Sequence, residues 1–245
     1  MTDAYQEDLA QIHDDGFGFI ARGAADTLLR QLSLSGHRGG GLIVELACGG
    51  GISSRILADG GYEILGYDIS QPMIEIARGR VSEGRFEVES LYDAVIPECR
   101  AVTAIGEAFN YLFDPRAGIS AMRGVFARAF AALAPGGLLI FDVAQPGRGM
   151  PRLEHNIFQG DGWRATSEVI EQPGANLLQR RVTTVRQIGR EARSSEELHE
   201  LVLYDPDEVF AELTAAGFSP RQLASYSTDY HFGLGHGGYV AAKPR

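Results

Sequence analysis

An α/β fold, with a parallel sheet wrapped by helices, is predicted by three observations. Short apolar runs alternate with amphipathic stretches from residue 42 to residue 143, the pattern of strands joined by helical crossovers. A glycine turn, Gly49-Gly50-Gly51, directly follows the apolar run Leu42-Ile43-Val44-Glu45-Leu46 and places backbone amides at the end of a strand. Between residues 146 and 204 the period changes to two, which predicts an antiparallel insertion.

Residues 3–34 read as two helical stretches in which Phe17, Ile20, Ala24, Leu28 and Leu32 form one apolar stripe, so residues 1–36 are predicted to be a helical cap. Glycines at 36 and 39–41 end it. The core, 42–145, then reads as strand 42–46, helix 52–59, strand 62–67, helix 71–80, strands 85–88 and 101–105, helix 117–133 and strand 137–143. Ser70 is a helix N-cap, and Pro72 in the following turn removes no donor that the helix needs. Within the predicted lid, 146–204, three strands run through WRATSEVIE, QRRVTTVRQI and ELHELVLY, broken at Pro173-Gly174 and at Gly189 to Arg193. Asp205-Pro206-Asp207-Glu208 opens a helix reaching Gly217, with an N-cap, a first-turn proline and an acid three residues after the cap. Phe218–Tyr226 and Gly238–Ala242 pair to close the sheet, and the 245 residues read as a single domain.

A formal charge of −10 with no basic run argues against nucleic acid as a partner. Cys48 and Cys99 are too few for a disulfide framework and fit a reducing compartment as packed thiols. The N-terminal MTDAYQEDLA lacks a basic segment followed by an apolar one, and no apolar run reaches membrane-span length, so a cytoplasmic protein without membrane contact is expected. The sequence leaves monomer and homodimer both open.

The glycine turn and the acid seventeen residues beyond it, Asp68, carry the ligand chemistry. Glycine lets a ligand approach the main chain, while Asp68 at the end of Ile64-Leu65-Gly66-Tyr67 can accept from a ribose diol. Glu45 lies inside an apolar run, where an unpaired carboxylate is costly, and is expected to face a cationic or N–H-rich group such as an α-amine. The best dinucleotide frame, Gly49-x-Gly51-x-x-Ser54, lacks its third glycine, which argues against a nicotinamide-dependent oxidoreductase.

These residues resemble motif I and the next acidic position of the class I S-adenosylmethionine-dependent methyltransferases. Leu133-Ala134-Pro135-Gly136-Gly137 followed by Leu138-Leu139-Ile140-Phe141-Asp142 is similar to that family's turn and fifth strand. The resemblance implies a Rossmann-like seven-stranded sheet, mostly parallel with a reversed last strand, carrying the insertion. It implies S-adenosylmethionine as cofactor and S-adenosylhomocysteine as product, with contacts at Glu45, Ala47, Gly49, Gly51, Asp68, Ile69, Ser90, Leu91 and Gly106. Ala47 stands where glycine is usual, and Ser90 where an acid is usual, with Glu89 as the alternative adenine partner.

The segment Gly106-Glu107-Ala108-Phe109-Asn110-Tyr111 follows the fourth strand, at the edge where open sheets place ligands. It lacks the Asn-Pro-Pro-Tyr and Pro-Cys signatures of nucleic-acid methyltransferases, which leaves transfer to a nitrogen or oxygen of a small molecule. A non-catalytic module that senses the cofactor is the alternative, because donor motifs report binding and not turnover. Glu107, His13 and His199 are the candidate bases, His13 on a loop Ile12–Gly16 that could cover the site and His199 on one strand face with Glu197 and Leu201. Asn110, Tyr111 and Trp163 are the candidate acceptor contacts. No acid cluster suggests a metal; His231 and His236 read as a surface turn, and Arg180, Arg181, Arg186, Arg190 and Arg193 as a solvated face.

Overall fold

The computed structural model describes residues 5–149, 154–227 and 230–245. Helices α1 (Glu7–Gly16) and α2 (Gly18–Leu34) precede β1 (Leu42–Leu46), α3 (Ile52–Asp59), β2 (Glu63–Asp68), α4 (Gln71–Arg80) and β3 (Arg85–Val88). After β4 (Cys99–Ala104), α5 (Ile119–Ala132) and β5 (Leu133–Ala144) comes the insertion β6 (Glu154–Gly160), β7 (Trp163–Gln172), β8 (Leu177–Ile188) and β9 (Glu191–Val202). The chain closes with α6 (Pro206–Ala215), β10 (Ser219–Leu223) and β11 (His236–Ala242).

Seven strands form one sheet in the order β10-β11-β5-β4-β1-β2-β3. All pairs from β5 to β3 are parallel, and β11 runs antiparallel to both of its neighbours. Strand alternation supplies both cores. Val44, Leu46, Val102, Ala104, Leu139 and Phe141 face the layer holding α5 and α6. Ile43, Ile64, Ala101, Leu138 and Ile140 face α2, α3 and α4, where Leu28, Leu32, Leu57 and Ile74 pack on them. The order of strands reverses at β1, which pairs with β2 on one side and β4 on the other, so the ligand crevice opens above the carboxyl ends of these strands.

Two expectations need correcting. The insertion has four strands, not three: β6 pairs with β7 from Glu154↔Val169 to Gly160↔Trp163. Adjacent apolar residues Ile157 and Phe158 blur its alternation, and the signal for it was the turn Asp161-Gly162, whose Gly162 has φ +71°. His13 sits on α1, not on a loop; the helix continues to Gly16 and is separated from α2 by Phe17 alone.

The insertion is stitched to the core by the backbone. Leu112 N donates to Glu200 O and Val202 N to Asn110 O, while Tyr204 N donates to Ala144 O. Fully buried Asn110 completes the seam: its Nδ2 donates to Ala144 O (2.8 Å) and Val202 O (2.6 Å), and its Oδ1 accepts from Ala144 N (3.0 Å). Its amide is thus spent on structure, which corrects its expected role as an acceptor contact. Replacing Asn110 by Ala removes three hydrogen bonds to the backbone of Ala144 and Val202 and leaves the buried Ala144 N without this acceptor, so urea unfolding is expected to show a loss of about 2–4 kcal/mol. A loss below about 0.5 kcal/mol would show that the seam does not depend on this side chain.

Candidate active site

The turn after β1 is held open by unusual backbone angles. Ala47, Gly49 and Gly51 have φ of +57°, +55° and +76°. At Gly49 nothing lies within 4 Å of the place a Cβ would take, so its backbone faces open space. At Gly51 a Cβ would meet Ala77 Cα at 3.1 Å, so glycine there lets α4 pack against the turn. Asp68 closes the turn from below, accepting Gly49 N (2.9 Å) and Ser70 N (2.9 Å). Burial pushes its carboxyl up to about 6, against the backbone hydrogen bonds that favour the charge. Ala47, Asp68, Ile69, Glu89, Ser90 and Leu91 line a slot that reaches Tyr111 and Phe113.

Glu45 does not face that slot. Its two carboxylate oxygens accept the hydroxyls of Ser53 and Ser54 in the first turn of α3, and burial raises its pKa. Where a cationic or N–H-rich group was expected, the partners within the fold are two hydroxyls, and Ser54, standing where a dinucleotide fingerprint has glycine, supplies one of them.

A second space, a cavity of about 210 Å³, lies between the sheet edge, α1 and the inner face of the insertion. Its floor is set by Asp142 at the end of β5. This fully buried carboxylate accepts Gly106 N (2.9 Å), Glu107 N (2.7 Å) and Tyr226 Oη (2.9 Å), and pairs with His236 Nε2 at 3.0 Å. The two amides hold Gly106 and Glu107 at φ +83° and +62°, a conformation costly for a glutamate. Glu107 then takes Arg148 Nε at 2.6 Å and Arg180 Nη2 at 2.8 Å. Burial pushes its carboxyl up, but Arg180, Arg148 and His236 outweigh it and hold the group well below the usual carboxylate range. Arg180 Nη1 also donates to Tyr111 Oη (2.8 Å), which shares a hydrogen bond with Tyr5 Oη (3.1 Å).

Tyr5, Tyr111 and Phe113 surround the His199 ring at centroid distances of 5.2, 5.6 and 4.9 Å. His199 Nε2 lies 2.9 Å from Glu197 Oε2, and its buried Nδ1 has no hydrogen-bond partner among the described residues. Tyr111 lines both spaces, so the slot and the cavity adjoin at its ring.

Comparison with known proteins bears on this arrangement. Residues 43–137 match the family described as methyltransferase domain. A protein of Geobacillus sp. (strain WCH70) named as a methyltransferase is 25% identical over 213 residues, covering 82% of this chain and 83% of its own. An S-adenosylmethionine-dependent methyltransferase from Clostridium acetobutylicum superposes with a TM-score of 0.79 over 96% of this chain and 98% of that one, at 16% identity. The chain has the class I methyltransferase fold. The amino pentose methyltransferase CalS10 of Micromonospora echinaspora, solved with S-adenosylmethionine bound, superposes with a TM-score of 0.75 over 95% of each chain at 20% identity.

In this methyltransferase fold the predicted residues divide into three groups. Ala47, Asp68, Ile69, Ser90 and Leu91 line the slot, with Gly49 and Gly51 shaping the turn beside it. Gly106, Glu107, Tyr111, His13 and His199 line the cavity. Asn110, Glu45 and Trp163 lie outside both. Trp163, at the β6–β7 turn, packs on Gly16 at the end of α1 and lines a shallow outer depression instead. As candidate bases, Glu107 is held ionised by two arginines, and burial pushes His13 down to about 4.

Sequence reasoning missed Tyr5, Arg148, Arg180 and His236. Arg180 projects from β8 into the cavity rather than from a solvated face, and Arg186 and Arg193 pair with Asp8. His236 is buried at the start of β11, bonded to Asp142 and Tyr230, and is not in a surface turn. Its alternation with Gly238 and Val240 on the closing strand was the available signal. Asp114, bonded to Ser90 Oγ (2.6 Å), adds a carboxylate beside the slot where Ser90 replaces one. No helix of the described residues is long and apolar enough to cross a membrane.

Since burial raises Asp68, its ionised form, the one able to accept from a ligand hydroxyl, is lost as pH falls through about 6. Calorimetric affinity for S-adenosylhomocysteine is therefore expected to drop about tenfold between pH 7.5 and pH 5. A flat profile over that range would remove Asp68 from the ligand contacts.

Proposed function

We propose that this chain transfers the methyl group of S-adenosylmethionine to a nitrogen or oxygen of a small-molecule acceptor. The observation that carries the reading is the junction at Tyr111, where an open glycine turn and a buried acid adjoin a lidded cavity of about 210 Å³. The residues fit the donor. Gly49 and Gly106 both leave open space where a Cβ would stand, so a ligand can come close to the main chain at each of them. Asp68 offers a carboxylate for the ribose, Ile69 and Leu91 apolar surface for the base, and Gly106 main chain for the amino-acid end. Bound there, S-adenosylmethionine supplies a methyl group already activated on a sulfonium.

What the chain must add is alignment, exclusion of water and a place for a proton. Alignment falls to Tyr5, Tyr111 and Phe113, whose rings wall the junction. Water is excluded by α1 and the insertion. An ammonium or hydroxyl acceptor must lose a proton, and His199 takes it at Nδ1, since its Nε2 is engaged by Glu197. Glu107 and the two arginines orient the acceptor instead. Transfer to an amine is favoured by the likeness to CalS10, an amino pentose methyltransferase, and acceptors of amino-sugar size suit the enclosed volume.

Calorimetry is expected to show binding of S-adenosylmethionine and S-adenosylhomocysteine, weakened at least about tenfold in Asp68→Ala. A panel of amino sugars, primary amines and hydroxylated metabolites is then expected to yield one acceptor that releases S-adenosylhomocysteine. Tight binding with no release across the panel would favour a sensor module, and no binding of either ligand would overturn the donor assignment.

A further inference from the structure

The N-terminal segment is tied to both halves of the molecule by charge. Asp14 on α1 forms a two-pronged pair with Arg80 of α4 (2.7 and 2.6 Å), and Asp14 Oδ1 sits where a Cβ of Gly50 would collide. Near the other end of α1, Asp8 pairs with Arg186 of β8 and Arg193 of β9. Ahead of the helix, Tyr5 O accepts the Ser70 hydroxyl at 3.0 Å. The segment is a strap running from the glycine turn to the insertion.

Glu197 of β9 receives the two residues just ahead of α1. Its Oε1 accepts Gln6 N (2.8 Å), and its Oε2 accepts Tyr5 N (3.0 Å). The same Oε2 meets His199 Nε2 at 2.9 Å. A carboxylate only accepts, so the hydrogen of a neutral His199 ring belongs on Nε2, leaving Nδ1 a bare acceptor. Two backbone amides at the start of a helix also stabilise the negative charge that makes this choice. Tyr5, bound through its amide, packs its ring on His199 at 5.2 Å and on Tyr111 at 6.2 Å.

We propose that Glu197 is a positioning residue that fixes the His199 tautomer and makes it conditional on the docked strap, so that the proton acceptor is assembled only when the cavity is covered. The proposal rests on the reading of His199 as the proton acceptor. With the strap lifted, Glu197 loses two of its three donors, and the carboxylate is free to turn from the ring. The proton acceptor and the water-excluding cover then form together.

The test uses the full chain labelled with nitrogen-15 histidine, with the His199 signals assigned by their loss in His199→Asn. At a pH where the ring is neutral, wild type is expected to show one tautomer, with the hydrogen on Nε2. Glu197→Gln is expected to show mixed tautomers and at least tenfold faster hydrogen exchange at the Tyr5 and Gln6 amides. Asp8→Asn, which loosens the strap at Arg186 and Arg193 and leaves Glu197 in place, is expected to shift the tautomer in the same direction. A wild-type ring protonated at Nδ1, or a tautomer unchanged in both variants, overturns the proposal.

Turnover provides an independent arm with the acceptor found by screening. Glu197→Gln is expected to lower kcat at least about tenfold in wild type and less than twofold beside His199→Asn. Equal losses in the two backgrounds would overturn the positioning role. Absence of turnover in wild type would sink the methyl-transfer reading while the spectra still decide how the pair is assembled.

Discussion

The floor of the cavity depends on one buried carboxylate. Asp142, two residues before the end of β5, has zero exposure, and four polar groups converge on it from three segments of the chain. Two are consecutive amides, Gly106 and Glu107, which it holds in left-handed backbone conformations. A charge this deep is tolerated only with its lone pairs met, and the groups that meet them are thereby fixed. The turn after β4, the hydroxyl of Tyr226 and the imidazole of His236 owe their places to it. Tyr226 in turn anchors α2, whose Thr27 hydroxyl donates to its carbonyl.

From that floor the polar network spreads upward into the partly buried Arg148 and Arg180. Glu107, aimed by its strained backbone, engages Arg148 and Arg180, and Arg180 passes the connection to Tyr111 and Tyr5. Each charge in the series has a partner of opposite sign or a hydroxyl within 3.1 Å. The chain thus carries fixed polar groups into the cavity, and preorganised groups of this kind can orient a ligand with little reorganisation. His199 stands apart from this series, surrounded by three aromatic rings and joined to Glu197.

Much of the slot was legible in the sequence because its residues are close together in the chain. The glycine turn, the acid at the end of β2 and the residues after β3 each follow a strand, and strand order in a parallel sheet brings strand ends to one edge. The cavity was legible only in part. Tyr111 and His199 were visible as candidates. Arg180 was read as surface, although a two-residue period on β8 gives Arg180 and Val182 one face and Arg181 the other. Which face is inside depends on how the insertion folds over the core, and the backbone bonds that set this join Leu112 to Glu200 and Val202 to Asn110. Those pairs lie about ninety residues apart, beyond any local pattern.

The sequence by itself determined the sheet, its helical wrapping and the position of the glycine turn, because these follow from periodicity and turn chemistry acting over a few residues. It also showed that Glu45 needed a partner, since a carboxylate within an apolar strand is costly. Tertiary structure alone decided that the partners were Ser53 and Ser54, that Asn110 was a strut, and that Trp163 lay outside the cavity. It decided too that Tyr5 and Glu197, 192 residues apart, meet beside His199. The physical reason is the same in each case: a polar group's function is set by which donor or acceptor finally reaches it, and the chain must close on itself before that is known.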